Sequence, residues 1–309
     1  AFIRDGKKLP EYKDRIQNLS AAYSCPEWII RMWQKDYSED VMMDMLRSSV
    51  GRPPVTVRLN TLRFGIDEIT SSLQAQGAKL RMFDAPDSCA ELFGCGAVEE
   101  LEAYKRGMFH VQDVSCQICA AQLGAKESDT VLDMCSAPGG KAFTIAQMMN
   151  DRGKVFAFDL HENRVRLISS GAKRLGLGSV LAMVNNAKAY NPDIPAADAV
   201  LCDVPCSGLG VIRRKPEIKY CDRDAIAGLP AVQYDILQCS SQYVKSGGTL
   251  VYSTCTIRRE ENDLVAGRFL EEHSEFEPLE LNGFSDYKVT MTPSMFGGDG
   301  FFIAKFKRR

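Results

Sequence analysis

Two cysteines and an aspartate stand where chemistry could use them. Asp203-Val204-Pro205-Cys206 and Thr254-Cys255 each end or follow an apolar run, DAVLCD and TLVYSTC. A cysteine alone in such a place is more often a small core residue. Two of them at neighbouring strand ends, with a carboxylate beside them, read as a nucleophile and a partner sharing one crevice. Cys255 precedes an expected helix and is followed by Arg258 and Arg259, and both features favour a thiolate. Neither cysteine has a histidine near it in sequence, and no GxSxG or GxCxG turn occurs, so a Cys-His hydrolase is poorly supported.

A third motif reads as a cofactor loop. Asp133-Met134 leads into Cys135-Ser136-Ala137-Pro138-Gly139-Gly140-Lys141, which lies between a strand-like run and a helical one. The paired glycines let the backbone approach a ligand, and the next helix offers its N-terminus. Asp159 follows Gly140 by 19 residues at the end of the next strand. That is the spacing at which a carboxylate accepts hydrogen bonds from ribose hydroxyls, so an adenosine-type cofactor is expected. The loop is not GxGxxG, and Pro138 argues against a pyrophosphate-cradling dinucleotide turn.

These motifs need a scaffold that brings strand ends together. Beyond residue 110, strand-like and helical runs alternate: TVLDMC, KVFAFD, VLAMVN, DAVLCD and TLVYSTC are each followed by a helix or a loop. Such alternation predicts an α/β fold with a buried, mostly parallel sheet and helices on both faces. YKVTMT and FFIAKFK flank a glycine-rich loop and read as an antiparallel hairpin closing that sheet. Ligands of such sheets bind beyond the strands' carboxyl ends, which is where the three motifs fall. Upstream, residues 1–50 read as helices, and 51–106 as a small α/β unit with strands VTVRLN and AKLRMF around one helix. Residues 84–106 read as loop-rich. A soft boundary is placed at 105–107, with 107–309 forming the larger domain; one continuous fold is the alternative.

Composition narrows the function further. The 309 residues carry 38 Lys+Arg and 40 Asp+Glu, a net charge of −2, so nucleic-acid contact would need a local basic patch. Three histidines (His110, His161 and His273) leave little for a histidine metal site, and no metal is expected. Cys116 and Cys119 form a lone CxxC, better read as a buried helix face than as a zinc site. Eleven scattered cysteines in a long chain fit a reducing cytoplasm and not a disulfide framework. No apolar run approaches a membrane span. The chain opens on Ala1 and is expected to be a piece of a longer protein.

DMCSAPGGK, DVPCSGLGVIRRKP and VYSTCT resemble the RNA 5-methylcytosine methyltransferases of the Nop/Sun family, and within it the Sun/Fmu (RsmB) type that acts on 16S rRNA. SCPEW, RPPVTVRLN, VQDVSCQ and GDGFFIAKFKR extend the resemblance over nearly the whole chain. It implies a Rossmann-like class I methyltransferase sheet, with the 51–106 unit contacting RNA. It also implies methyl transfer from S-adenosylmethionine to carbon 5 of a cytosine, probable small-subunit rRNA targets being the type's substrate class, and a monomer. Members of the type often carry a NusB-like N-terminal domain, and this chain is expected to lie outside it. Residues 135–141 would surround the cofactor, Asp159 would hold its ribose with Arg164 nearby, and Asn186 stands where members usually carry an Asp facing the adenine. Cys255 would attack carbon 6, Cys206 would help release product, and Asp203 would sit between cofactor and base and hydrogen-bond or protonate N3, its burial keeping the proton. Either Cys206 or a water would remove the carbon 5 proton. Arg213, Arg214, Lys215 and Arg258 flank the two cysteines and are expected to form an RNA-facing rim. Two other readings are a nicotinamide oxidoreductase on the same sheet and a catalytically weak RNA-binding or ribosome-assembly factor.

Overall fold

The computed structural model describes residues 12–309. Its first described elements are three short helices, α1 (Arg15–Tyr23), α2 (Glu27–Asp36) and α3 (Glu39–Ser48). Asp14 caps α1 by accepting the Ile16 N–H, and Ser38 caps α3 with Glu39 and Asp40 in its first turn. Their apolar faces do not form a core of their own. Ile29, Ile30, Trp33, Met42 and Leu46 share one buried cluster with Leu209, Ile212 and Ile257 from much later in the chain.

The small unit follows: β1 (Val55–Leu59), α4 (Ile66–Gln74), β2 (Lys79–Met82), β3 (Cys89–Phe93), α5 (Glu102–Lys105) and β4 (Phe109–Val111). The strands form an antiparallel sheet in the order β2-β3-β1-β4. Two features differ from the sequence expectation. The stretch read as loop contains β3, which pairs with both β1 and β2. The sheet also runs past residue 106, because β4 pairs with β1. Buried polar contacts cross the seam as well. Asn60 Nδ2 donates to the carbonyls of Gly107 and Leu175, both at 2.9 Å, and Arg58 Nε donates to Gln147 Oε1 at 2.8 Å.

The larger unit begins with α6 (Val114–Ala121). It continues through β5 (Thr130–Asp133), α7 (Gly140–Met148), β6 (Lys154–Asp159), α8 (Glu162–Leu175), β7 (Val180–Val184) and β8 (Ala197–Asp203). Then come α9 (Arg223–Ala227), α10 (Leu229–Ser241), β9 (Val244–Thr254), α11 (Asp263–Glu272), β10 (Phe276–Pro278), β11 (Lys288–Met291), α12 (Pro293–Phe296) and β12 (Phe301–Arg308). The sheet order is β7-β6-β5-β8-β9-β12, with β10 and β11 both paired to the far edge of β12. Strands β5 to β9 pair in parallel; β12 runs antiparallel to β9 and to β11, the closing hairpin read from sequence. Successive residues point to opposite faces. Val131, Ala199 and Val251 enter a core with α6, α7 and α8, while Leu132, Val200 and Leu250 enter one with α10 and α11. The chain fills one side of β5 with β6 and β7, then returns to fill the other with β8 and β9. The crevice of this sheet therefore opens at the carboxyl ends of β5 and β8.

Candidate active site

The loop after β5 is held by backbone bonds to both neighbouring strands. Met134 N donates to Leu201 O at 3.0 Å, and Ser136 N donates to Phe158 O at 2.7 Å. Gly139 has φ of 107°, and a Cβ there would lie 2.4 Å from the Phe143 ring, so only glycine fits. α7 starts at the next residue and aims its N-terminus at the crevice. Asp159, 3% exposed, accepts from His161 N at 3.1 Å and pairs with Arg164 Nη1 at 3.0 Å. Arg164 Nη2 also donates to Ala137 O at 2.9 Å. One guanidinium thus ties the glycine loop to the carboxylate of the next strand. Asn186 lies beyond the end of β7, exposed, its Oδ1 accepting from Lys188 N at 3.1 Å.

The thiols meet on the other side of the crevice. Cys206 comes three residues after β8 and Cys255 directly after β9; their sulfurs are 3.2 Å apart. Asp203, the last residue of β8, accepts from Ser253 Oγ at 2.8 Å and from Lys141 Nζ at 2.7 Å. Burial alone would lower Lys141, but the charge and hydrogen bond of Asp203, together with the nearby Cys116 and Cys119, hold the ammonium well above the usual range. Asp203 is thus the acceptor in an ion pair with Lys141.

Asp133 stands at the end of β5 and is a further carboxyl at the crevice to which sequence spacing assigns no role. It is fully buried, and neither carboxylate oxygen has a hydrogen-bond partner. Burial first, and the negative charge of Asp203 second, push it up to about 7.

The two thiols are not equivalent. The hydrogen bond from Cys206 lowers Cys255 and raises Cys206. Other charges face each thiol: the carboxylate of Glu261 raises Cys206, while at Cys255 burial and the charge of Asp203 raise the thiol and Lys141 lowers it. Glu261 is fully buried, and its Oε2 accepts from Ser207 N at 2.9 Å and Gln233 Nε2 at 2.8 Å. Gln233 Nε2 also donates to Pro205 O at 2.9 Å, so residues on both sides of Cys206 are pinned. Cys255 is fixed in a similar way. Thr254 Oγ1 donates to Asn262 Oδ1 at 2.6 Å, and Asn262 Nδ2 donates to Thr256 O at 2.9 Å. Gly210 N donates to Cys255 O at 3.1 Å, and a Cβ at Gly210 would fall 2.0 Å from Gly300 O. None of Glu261, Gln233 or Asn262 belongs to a sequence motif that spacing alone would mark; Gln233 reaches in from α10, and Glu261 and Asn262 from the turn before α11.

The basic residues expected at the rim divide. Lys215 is exposed. Arg213 is half-buried, its Nη2 donating to Arg52 O at 2.7 Å. Arg214 is engaged within the fold: it pairs with Asp113 at 2.9 Å and with Asp299, and donates to Pro54 O at 2.9 Å. Arg258, with a side chain 15% exposed, donates to Ile226 O at 2.9 Å and lies 3.7 Å from Glu261. Both guanidinium groups are directed at the protein's own acceptors. Among the described residues no group of His, Cys, Asp and Glu is arranged to hold a metal, and no helix is long and apolar enough to cross a membrane.

Comparison with known proteins agrees with this arrangement of elements. A family model described as 16S rRNA methyltransferase RsmB/F matches residues 120–307. A second, the ferredoxin-like domain of RsmF/B-like methyltransferases, matches residues 25–92. The probable ribosomal RNA small subunit methyltransferase B of Bacillus subtilis (strain 168) is 36% identical, over 96% of this chain and 69% of that protein. The crystal structure of PH0851 superposes with a TM-score of 0.90 at 29% identity, covering 99% of this chain and 71% of that one. NSun6 from Pyrococcus horikoshii, crystallised with SFG, shares the fold with a TM-score of 0.82 at 20% identity, covering 92% of this chain and 98% of that one. The matched domains and the extent of the identity together make this chain a member of the RsmB/F family of 16S rRNA methyltransferases.

Proposed function

We propose that the chain methylates carbon 5 of a cytosine in RNA, with small-subunit rRNA as substrate and S-adenosylmethionine as donor, through a covalent adduct on Cys255. The observation that carries this reading is the 3.2 Å approach of Cys206 and Cys255 beside the Lys141–Asp203 pair. Two adjacent thiols of unequal acidity suit a reaction that must both form and break a carbon–sulfur bond.

The residues fit the proposed donor. Asp159 offers a buried carboxylate at ribose spacing, and Ser136 Oγ and both Asp133 oxygens are buried polar atoms without a partner within the protein. Residues 135–141, Asp159, Arg164 and Asn186 would hold the cofactor, which when bound supplies an electrophilic methyl carbon. SFG, the ligand crystallised with the Pyrococcus NSun6, is an analogue of this donor.

The protein's own groups do the rest. Cys255, as thiolate, adds to carbon 6 and forms a carbon–sulfur bond; the electron pair of the 5,6 double bond makes carbon 5 nucleophilic. Lys141 and Asp203 offer a donor and an acceptor to the polar edge of the ring, drawing electron density from carbon 6. After methylation either a water or Cys206, as thiolate, takes the carbon 5 proton, the double bond re-forms and Cys255 leaves as thiolate. Cys206 is positioned to exchange a proton with Cys255 during that departure. The target base must be unpaired to enter the crevice.

The test is a pair of substitutions assayed with rRNA transcripts and labelled donor. Cys255→Ala is expected to abolish both methyl transfer and covalent complex. Cys206→Ala is expected to accumulate a protein–RNA adduct that survives a denaturing gel. An adduct in Cys255→Ala and none in Cys206→Ala would exchange the two roles. Bisulfite sequencing of the product that finds no modified cytosine would remove the carbon 5 assignment.

A further inference from the structure

A groove of about 500 Å³ runs between the small sheet and the loop that follows Cys206. Arg81, Phe83 and Phe93 line one side, and Arg52 and Arg213 the other. Phe93 is 43% exposed although it is a large apolar side chain. Arg81 pairs with Glu91, the one carboxylate of the lining. Arg52 and Arg213 make no ion pair with another described residue, and Arg213 Nε is buried without a partner. In a chain of net charge −2, this is a local positive excess beside an open aromatic face.

We propose that this groove holds the unpaired nucleotides flanking the target base, with Phe93 stacking on a base and Arg52 and Arg213 contacting phosphates. The proposal rests on the reading of the chain as an RNA-modifying enzyme and adds where the neighbouring strand lies. Stacking on an exposed ring requires a base whose face is free, which a duplex does not offer; basic groups alone would serve a duplex backbone. The groove is also joined to the reactive loop. Arg213 lies seven residues beyond Cys206, its side chain donates to Arg52 O at 2.7 Å, and Gly210 N donates to Cys255 O at 3.1 Å. A strand lying there reaches the loop that carries one thiol and touches the other.

The test measures binding of a fluorescein-labelled, unstructured oligoribonucleotide and of a blunt duplex of the same sequence, by anisotropy over a range of salt. Phe93→Ala is expected to weaken single-strand binding by about 5- to 100-fold, the range of one lost base–aromatic stack. Phe93→Trp, which keeps a stacking face, is expected to retain wild-type affinity. Arg52→Ala is expected to reduce the salt slope of single-strand binding by about 0.7, as for one phosphate. Duplex binding is expected to be unchanged in Phe93→Ala. Retained S-adenosylmethionine binding, measured by calorimetry, shows that each variant is folded. Wild-type single-strand affinity in both alanine variants would overturn the proposal, as would equal losses for strand and duplex in Phe93→Ala. The adduct assay with Cys206→Ala is independent. An adduct combined with silent groove variants would sink the groove alone; weakened binding with no adduct would sink the cysteine chemistry alone.

Discussion

Cys206 and Cys255 touch, yet different charges face them: Glu261 faces Cys206, while Asp203 and Lys141 face Cys255. Glu261 is fully buried on the Cys206 side, and Lys141 lies on the Cys255 side. A charge a few ångströms away in a buried site shifts a thiol by a unit or more. Glu261→Gln is therefore expected to lower Cys206 towards Cys255 and blunt the preference between them. Alkylation by iodoacetamide, resolved by mass spectrometry of the two peptides, is expected to shift towards Cys206 by roughly threefold to tenfold, about one pKa unit or less. An unchanged ratio would show that the Cys206–Cys255 hydrogen bond alone sets the asymmetry. At this scale the sequence was readable where function coincides with a strand end: Asp203, Cys206 and Cys255 stand at such ends and come together. It was unreadable where a partner arrives from another element. The ion pair of Asp203 depends on Lys141, 62 residues earlier in the first turn of a helix, and the upward shift of Asp133 depends on burial among several elements.

Whole elements act on the site through packing. The N-terminal helices read as a separate segment, because amphipathic spacing shows that a face is buried and not what covers it. In the structure, Ile30, Trp33 and Leu46 pack against Leu209, Ile212 and Ile257, which belong to the loops bearing Cys206 and Cys255. Tyr37 OH donates to Ile257 O at 2.6 Å, and Lys219 Nζ to Tyr23 O at 3.1 Å. Tyr37→Phe removes one such tie and leaves a carbonyl without it, at a cost of about 1 kcal/mol. If that cost falls on the ordered loop, single-turnover methyl transfer slows by about fivefold. S-adenosylmethionine affinity is expected to stay unchanged, because residues 135–141 are braced by Leu201, Phe158 and Arg164 instead. Affinity falling in step with rate would mean that Tyr37 supports the fold as a whole. β3 was missed for a related reason. CAELF is short, its buried positions include the small Cys89 and Ala90, and its place in the sheet comes from β1 and β2 on either side.

Across the whole molecule, the seam between the small sheet and the larger unit is polar and buried, which a reading of composition along the chain does not show. His110 lies in that seam on β4, its ring edge-on to Phe143 of α7 at 5.7 Å and its Nε2 3.2 Å from Gln112 Oε1. Burial first, and the nearby charge of Arg58 second, lower His110 to about 3. The sign follows from proton counting. The unfolded chain protonates this histidine near pH ~6.5 while the folded chain keeps it neutral, so the unfolded state binds more protons between about 6.5 and 3. Stability contributed by the neutral ring is full above that window and is lost as pH falls through it, on the order of 4 kcal/mol at most. Asp133 acts in the opposite sense. Its folded value of about 7 lies above the ordinary carboxylate value of 3.8, so its contribution is full at low pH and is lost as pH rises towards 7. Between about pH 4 and 6.5 the two slopes oppose each other, and the wild-type protein is expected to show a shallow profile there. Asp133→Asn removes one slope and should leave urea midpoints that fall steeply with acid; His110→Gln removes the other and should leave midpoints that fall towards neutral pH. Wild type and both variants giving parallel midpoint curves from pH 4 to 7 would mean that neither buried group governs the pH dependence of stability.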